Sequence, residues 1–184
     1  MNLRTIGLLS RRSSVAIIVF AALATAALLA WLFLPPSYGA FVSISHLDYF
    51  KDMSDPSVLV GSADNVFFGE VEEKLGQTTK NGWVETQYRV RVMEVFKGSL
   101  SGEVTVNRHG GYDRLTRTIE MVDGAPDMPE AGRRYLFATR LNSVEDWHTF
   151  PPGYGDIAVW DDEHADELRR IFTIAVESEV ITDP

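Results

Sequence analysis

Cysteine is absent from the 184 residues. That removes disulfides, thiolate nucleophiles and thiolate metal ligands, and it excludes an anchor built on an acylated cysteine. A domain of this chain exported from the cytoplasm holds together through its core alone. Basic residues are also scarce beyond the first dozen positions. Three of the 17 Lys and Arg residues (Arg4, Arg11 and Arg12) come before residue 15, and none of the 26 Asp and Glu residues does. Residues 36–184 therefore carry 14 basic against 26 acidic side chains, a formal charge of -12. Such a charge argues against nucleic acid as a partner and against adhesion to anionic lipid. It is compatible with a cationic partner or divalent ions, although solubility accounts for it more simply. No HExxH, EF-hand or GxSxG pattern occurs, and no internal repeat is visible. No metal site and no cofactor is expected.

What the chain has in excess is one long apolar run. VAIIVFAALATAALLAWLFL, residues 15–34, contains Thr25 as its only polar side chain. At about 1.5 Å per residue such a helix spans a hydrocarbon core of about 30 Å. A helix packed in a soluble core would keep a polar stripe, and this run has none. The reading is a cytoplasmic N-terminus over 1–14, a transmembrane helix over 15–35, a linker with a short helix over 36–56, and an extracytoplasmic domain over 57–184. The arginines before the run set that orientation, and Trp31 suits the outer interface. The alternative is a secreted protein whose signal peptide is cleaved. The run is longer than an ordinary signal core, and the best small-residue site, Ser37-Tyr38-Gly39, is weak. Ala22, Ala26 and Ala30 share a helix face, so close packing of membrane helices is a lesser structural reading.

Pro35-Pro36 ends the run. SISHLDYFKDM (43–53) reads as a short helix that Asp55-Pro56 breaks. Strand patterns follow. VFFGEVEE (66–73) is rich in β-formers, and Gly69 marks a bend. Lys80-Asn81-Gly82 is a turn. In WVETQYRVRVMEVFKG (83–98), Val84, Thr86, Tyr88, Val90 and Val92 alternate with Glu85, Gln87, Arg89 and Arg91. That is period two, with one face buried. The alternation slips at Met93-Glu94, as one inserted residue would make it. EVTVNR (103–108) places Val104 and Val106 inward. LTRTIEM (115–121) alternates through Leu115, Ile119 and Met121. RRYLFATRL (133–141) is apolar on both faces, so a second layer covers it. DDEHADELRRIFTIAVES (161–178) supplies that layer, a helix with Leu168, Ile171, Phe172, Ala175 and Val176 on one side and an acidic, capped first turn. The fold expected is mainly β: an OB-like closed or partly open barrel with a C-terminal amphipathic helix, or else a β-sandwich.

Three segments carry a resemblance: SADNVFFGEVEE (62–73), YRVRVMEVFKGSLSGEVTVNRHGG (88–111) and MPEAGRRYLFAT (128–139). Together they resemble bacterial exported or membrane-anchored proteins of unknown function, similar to the netrin-like domain of tissue inhibitors of metalloproteinases. The resemblance covers about half of the chain and rests on glycines and alternating apolar positions. It implies an OB-type barrel with flanking helices and a bias toward binding modules. Those inhibitors chelate the protease zinc through an N-terminal cysteine, and this chain has none, so no residue here inherits that role.

Candidate site residues cluster in VNRHGGYDR, 106–114. His109 would serve as base or ligand, Asp113 would orient it, and Arg108 or Arg114 would fix an anion, with Gly110 and Gly111 allowing close approach. The competing reading is a polar turn at the barrel rim, since no nucleophile or metal partner stands beside them. WHTFPPGYGDIAVW (147–160) offers Trp147 and Tyr154 to grip a peptide or glycan, or to plug the barrel end. DDEHADE (161–167) is acidic enough to attract a cation, but helix capping explains it more simply. The function expected is a membrane-tethered binding or adaptor domain with an envelope protein or a peptide as partner. The alternative is an envelope hydrolase or metal-dependent enzyme built on His109 and Asp113.

Overall fold

The computed structural model describes residues 11–33, 39–46, 52–80, 82–125 and 127–181. The chain divides into two units, Met1–Gly39 and Ala40–Pro184. In the first, α1 covers Arg11–Phe33, and its described side chains, residues 15–30, are all exposed. Among the described residues no helix is long and apolar enough to cross a membrane. The span expected over 15–34 runs past those side chains. Leu34, Pro35, Pro36 and the side chain of Trp31 lie outside what is described.

Period-two alternation builds the second unit. Strand β3 (Trp83–Lys97) buries Val84, Thr86, Tyr88 and Val90 and leaves Arg91 in water. It pairs antiparallel with β2 (Asn65–Lys80). Phe68 faces Glu94 and Gly69 faces Val92, so Met93 has no partner. This is the inserted residue expected at Met93-Glu94. The bend also needs Gly69, because a Cβ there would lie 2.4 Å from Val90 Cγ1.

Strands β4 (Glu103–His109), β7 (Arg134–Asn142), β8 (Trp147–Thr149) and β9 (Asp156–Ala158) complete a six-stranded sheet in the order β2-β3-β4-β8-β7-β9. β2 also pairs with β7, so the series of pairings returns to its start. Every pairing in that cycle is antiparallel except β4 with β8. One face of this sheet encloses Phe67, Val71, Tyr88, Val90, Val106, Tyr135, Phe137 and Phe150. A second core lies on the other face. There α2 (Pro56–Ser62) and α3 (Asp162–Glu177) bring Leu59, Val60, Leu168 and Phe172 against Val66, Phe68, Leu136 and Ala138. β7 is thus apolar on both faces because both faces are covered, as its sequence implied. The unit is mainly β and ends in an amphipathic helix. Asp161 caps α3, its carboxylate accepting from His164 N at 2.8 Å.

A separate three-stranded sheet has the order β1-β6-β5, made from β1 (Phe41–Ser45), β5 (Gly111–Asp113) and β6 (Thr118–Val122). It corrects one expectation. Residues 43–45, read as the start of a helix, are strand, because β1 pairs in parallel with β6. Residues 47–51 of that expected helix lie outside the described residues. Asp55-Pro56, read as ending that helix, starts α2, which was not expected: Asp55 Oδ1 accepts from Ser57 N at 2.8 Å, and Pro56 occupies the first turn, where its missing N–H costs nothing.

Leu115 is 96 % exposed rather than inward. Asp113 Oδ1 accepts from Leu115 N at 2.7 Å, which folds 114–117 into a turn and delays β6 to Thr118. Ile171 is exposed too, since α3 buries the narrower stripe Ala165, Leu168, Phe172 and Ala175.

Candidate functional site

Arg108 is inside the protein, not at a rim. It shares the inward parity of Val106 on β4, and its side chain is 2 % exposed. Its Nε lies 3.2 Å from Oδ2 of Asp156, whose side chain is 1 % exposed. This distance makes an ion pair, although the angles fall short of a hydrogen bond. The guanidinium also donates from Nη1 to Asp127 O at 2.8 Å and to Met128 Sδ at 3.2 Å. One buried cation thereby ties β4 to the 127–128 loop and to β9. Burial pushes the Asp156 carboxyl up to about 7, with Arg108 opposing the rise. Burial likewise raises the Tyr88 hydroxyl to about 12, and Arg108 again opposes. Anion capture by Arg108 has a buried carboxylate as its competitor. Asp156 was not anticipated. The signal for it was an isolated acid inside the aromatic stretch 147–160.

His109 has the opposite parity. Its Nδ1 is 3.3 Å from Glu85 Oε1, and its ring centroid is 4.7 Å from that of Trp83. Glu85 Oε2 accepts from Asn107 Nδ2 at 2.7 Å. The group oriented toward His109 is thus Glu85, across the β3–β4 ladder. Asp113, expected to play that part, is engaged by Leu115 N, and this hydrogen bond lowers its pKa.

The double glycine answers a packing need. Gly110 and Gly111 have φ of 111° and 139° where the chain leaves β4 for β5. A Cβ on Gly111 would lie 1.9 Å from Gln77 Nε2 and 2.6 Å from Thr86 Oγ1. Thr86 Oγ1 in turn donates to Gly110 O at 2.6 Å.

Most of the 147–160 stretch turns inward, although Trp160 at its end is 71 % exposed. Trp147, His148, Phe150 and Asp156 are buried, and Phe150 belongs to the inner core. Trp147 lies under Lys80 Nζ, 5.4 Å from the ring centroid, and Lys80 pairs with Glu145 at 2.7 Å. Tyr154 packs on the outer core. Burial lowers the pKa of His148, whose Nδ1 is 3.3 Å from Thr139 Oγ1.

One surface groove, of about 570 Å³, opens between the far end of β2 and the β5–β6 turn. Lys74, Gln77, Thr79, Tyr112, Asp113 and Arg114 supply its polar lining. Lys74 is solvent-exposed by area, yet the protein around its ammonium lowers its pKa. Of the expected site residues, Asp113 and Arg114 line this groove; Arg108, His109, Gly110, Gly111, Trp147 and Tyr154 do not. Lys74 and Gln77 carried no motif that singled them out.

Among the described residues no group of three or more His, Asp or Glu side chains is placed to hold a metal. In 161–167, Asp161 caps the helix, Asp162 pairs with Arg134 at 2.8 Å, and Asp166 pairs with Arg169. No protein-family model matches the chain, and no curated protein matches it.

Proposed function

We propose that this chain is a membrane-tethered, extracytoplasmic binding or adaptor domain on an OB-type barrel. Support for the barrel comes from the pairing cycle β2-β3-β4-β8-β7-β2, with one parallel pair, around a single enclosed core. A helix packs on the outside of β2 and β7 and covers the second face of the sheet. The tether rests on the sequence: twenty residues, 15–34, with one polar side chain, preceded by Arg4, Arg11 and Arg12 and followed by an acidic remainder.

The observation that carries the binding role is the groove beside Asp113. It sits where strand ends and a turn are held by a packed scaffold, the usual setting for recognition. Its lining mixes a lysine and an arginine with one carboxylate (Asp113, already engaged by Leu115 N), an amide, two hydroxyls and a phenol. That chemistry suits a polar partner with negative groups, such as an acidic peptide segment of another envelope protein.

The test is recovery of partners from detergent-solubilised membranes after gentle cross-linking, with the intact chain as bait. A specific partner is expected with the wild type and is lost with Lys74→Glu. Equal recovery with Lys74→Glu, or no partner enriched over an unrelated anchored bait, would overturn the binding role.

A further inference from the structure

The groove beside Asp113 has a strand edge for one wall. β2 pairs with β7 only from Asn65 to Glu70. Val71 then exchanges backbone bonds with the residues just before β7, donating to Arg133 O at 3.0 Å and accepting from Gly132 N at 2.7 Å. From Glu72 to Lys80 the one strand partner of β2 among the described residues is β3. Gln77, Thr78 and Thr79 are exposed there, and all three line the groove. Neighbouring strand residues point to opposite faces, so a groove lined by three in a row reaches round the edge itself.

The hydrogen-bond phase of that edge follows from β3. Val84 directs both backbone groups away from β2: its N–H donates to Glu120 Oε2 at 2.9 Å, and its C=O accepts from Gly110 N at 2.7 Å. Thr79 stands opposite Val84, and Gln77 stands opposite Thr86. Both are therefore non-bonded pairs of the antiparallel ladder, in which Thr79 and Gln77 turn their N–H and C=O groups outward. Two donors and two acceptors, about 7 Å apart along the strand, stand open to an extended chain. A register shift at Lys74–Gly76 bounds this stretch on one side. Lys80, paired with Glu145 at 2.7 Å, holds the other end.

We infer that the groove takes its partner as an added β-strand: an extended acidic segment that pairs with β2 at 77–79 and sends alternate carboxylates between Lys74 and Arg114. Strand addition rests on the binding role proposed for this groove and adds how the partner is held. Charge selects the occupant. Lys74 and Arg114 line the groove and have no carboxylate partner among the described residues. The protein around Lys74 lowers its pKa, so an incoming carboxylate stabilises a charge that now lacks a counter-ion. Asp113, the one acid in the lining, already accepts from Leu115 N. The nearby Glu72 and Glu73 are paired with Arg91 and Arg89. At physiological salt, exposed charges more than about 8 Å away are largely screened, so the two groove cations outweigh the acidic remainder of the chain.

The probe is a capped octapeptide alternating glutamate and valine, and fluorescence anisotropy reads its binding to the intact chain in detergent. Two methylated forms separate strand pairing from charge: one carries N-methyl groups on every valine, the other on every glutamate. A strand turns alternate N–H groups to opposite edges, so one form keeps the pairing edge and the other loses it. The parent peptide is expected to bind, one methylated form to bind nearly as well, and the other to be weakened about tenfold or more. Thr79→Pro deletes one outward donor and leaves the bonds to β3 in place, so it should weaken the parent peptide several-fold with little change in melting temperature. Methylated forms that bind alike, or a Thr79→Pro chain that binds as the wild type does, would overturn strand addition. If the parent peptide then still binds and is lost with Lys74→Glu, the binding role of the groove stands. A parent peptide that does not bind would overturn the acidic strand, and recovery of a partner from membranes would decide the groove by itself.

Discussion

Arg108 on β4 and Asp156 on β9 face each other at 3.2 Å inside the larger sheet, both nearly sealed from water. Neither strand pairs with the other, so the contact bridges the interior. Burying two charges is expensive, and their attraction offsets that expense only while both are present.

Removing one partner is therefore expected to hurt more than removing both. Asp156→Ala leaves a buried guanidinium and should cost about 3–5 kcal/mol. The double variant R108M/D156L should recover most of that loss. Urea unfolding of the intact chain, followed by tryptophan fluorescence, reads both. A double variant as unstable as the single one would contradict the account.

The same pair sets a pH dependence. Burial raises the folded-state pKa of Asp156 to about 7, above its ordinary value of 3.8. Between these values the folded state holds more protons than the unfolded state, so this group's contribution to stability falls as pH rises from about 4 to about 7. Asp156→Asn should flatten that limb. His148 acts in the opposite sense: burial depresses its pKa below 6.5, so its contribution is present above pH 6.5 and is lost as pH falls. His148→Asn should flatten the acid side. Unfolding free energies at several pH values separate the two.

Gly111→Ala tests the double glycine. The new methyl meets Gln77 and Thr86 in a backbone region that disfavours side chains, so a loss of about 1–3 kcal/mol is expected. Gly124→Ala is the control: its φ is 69°, but nothing lies within 4 Å, so only the backbone strain of about 1 kcal/mol applies. Equal losses at the two positions would remove the crowding argument.

Much of the fold was legible because burial imposes a period. Val84 to Val90 alternate because one face of β3 is enclosed, and the slip at Met93 marked a real unpaired residue. β7, apolar on both faces, announced its two layers. Of the small sheet, β6 was legible in the alternation of 115–121 but β1 was not, since β1 has exposed side chains on both faces and so shows no clean alternation. Its strand state comes from pairing with a segment more than seventy residues away. The site was read less well for a related reason. Arg108 looked like a surface cation, and only the three-dimensional register puts Asp156 opposite it. His109 and Asp113 are close in sequence, but one engages Glu85 and the other its own turn.

The central proposal is that the apolar run 15–34 anchors the chain in a membrane with residues 57–184 on the extracytoplasmic side. Labelling of Ile174→Cys in spheroplasts with a membrane-impermeant maleimide tests it most directly, because position 174 is exposed and no native thiol competes. The account predicts labelling of intact spheroplasts, with the labelled protein retained in the membrane fraction. Labelling that appears only after lysis, or labelled protein released into the medium, would contradict it.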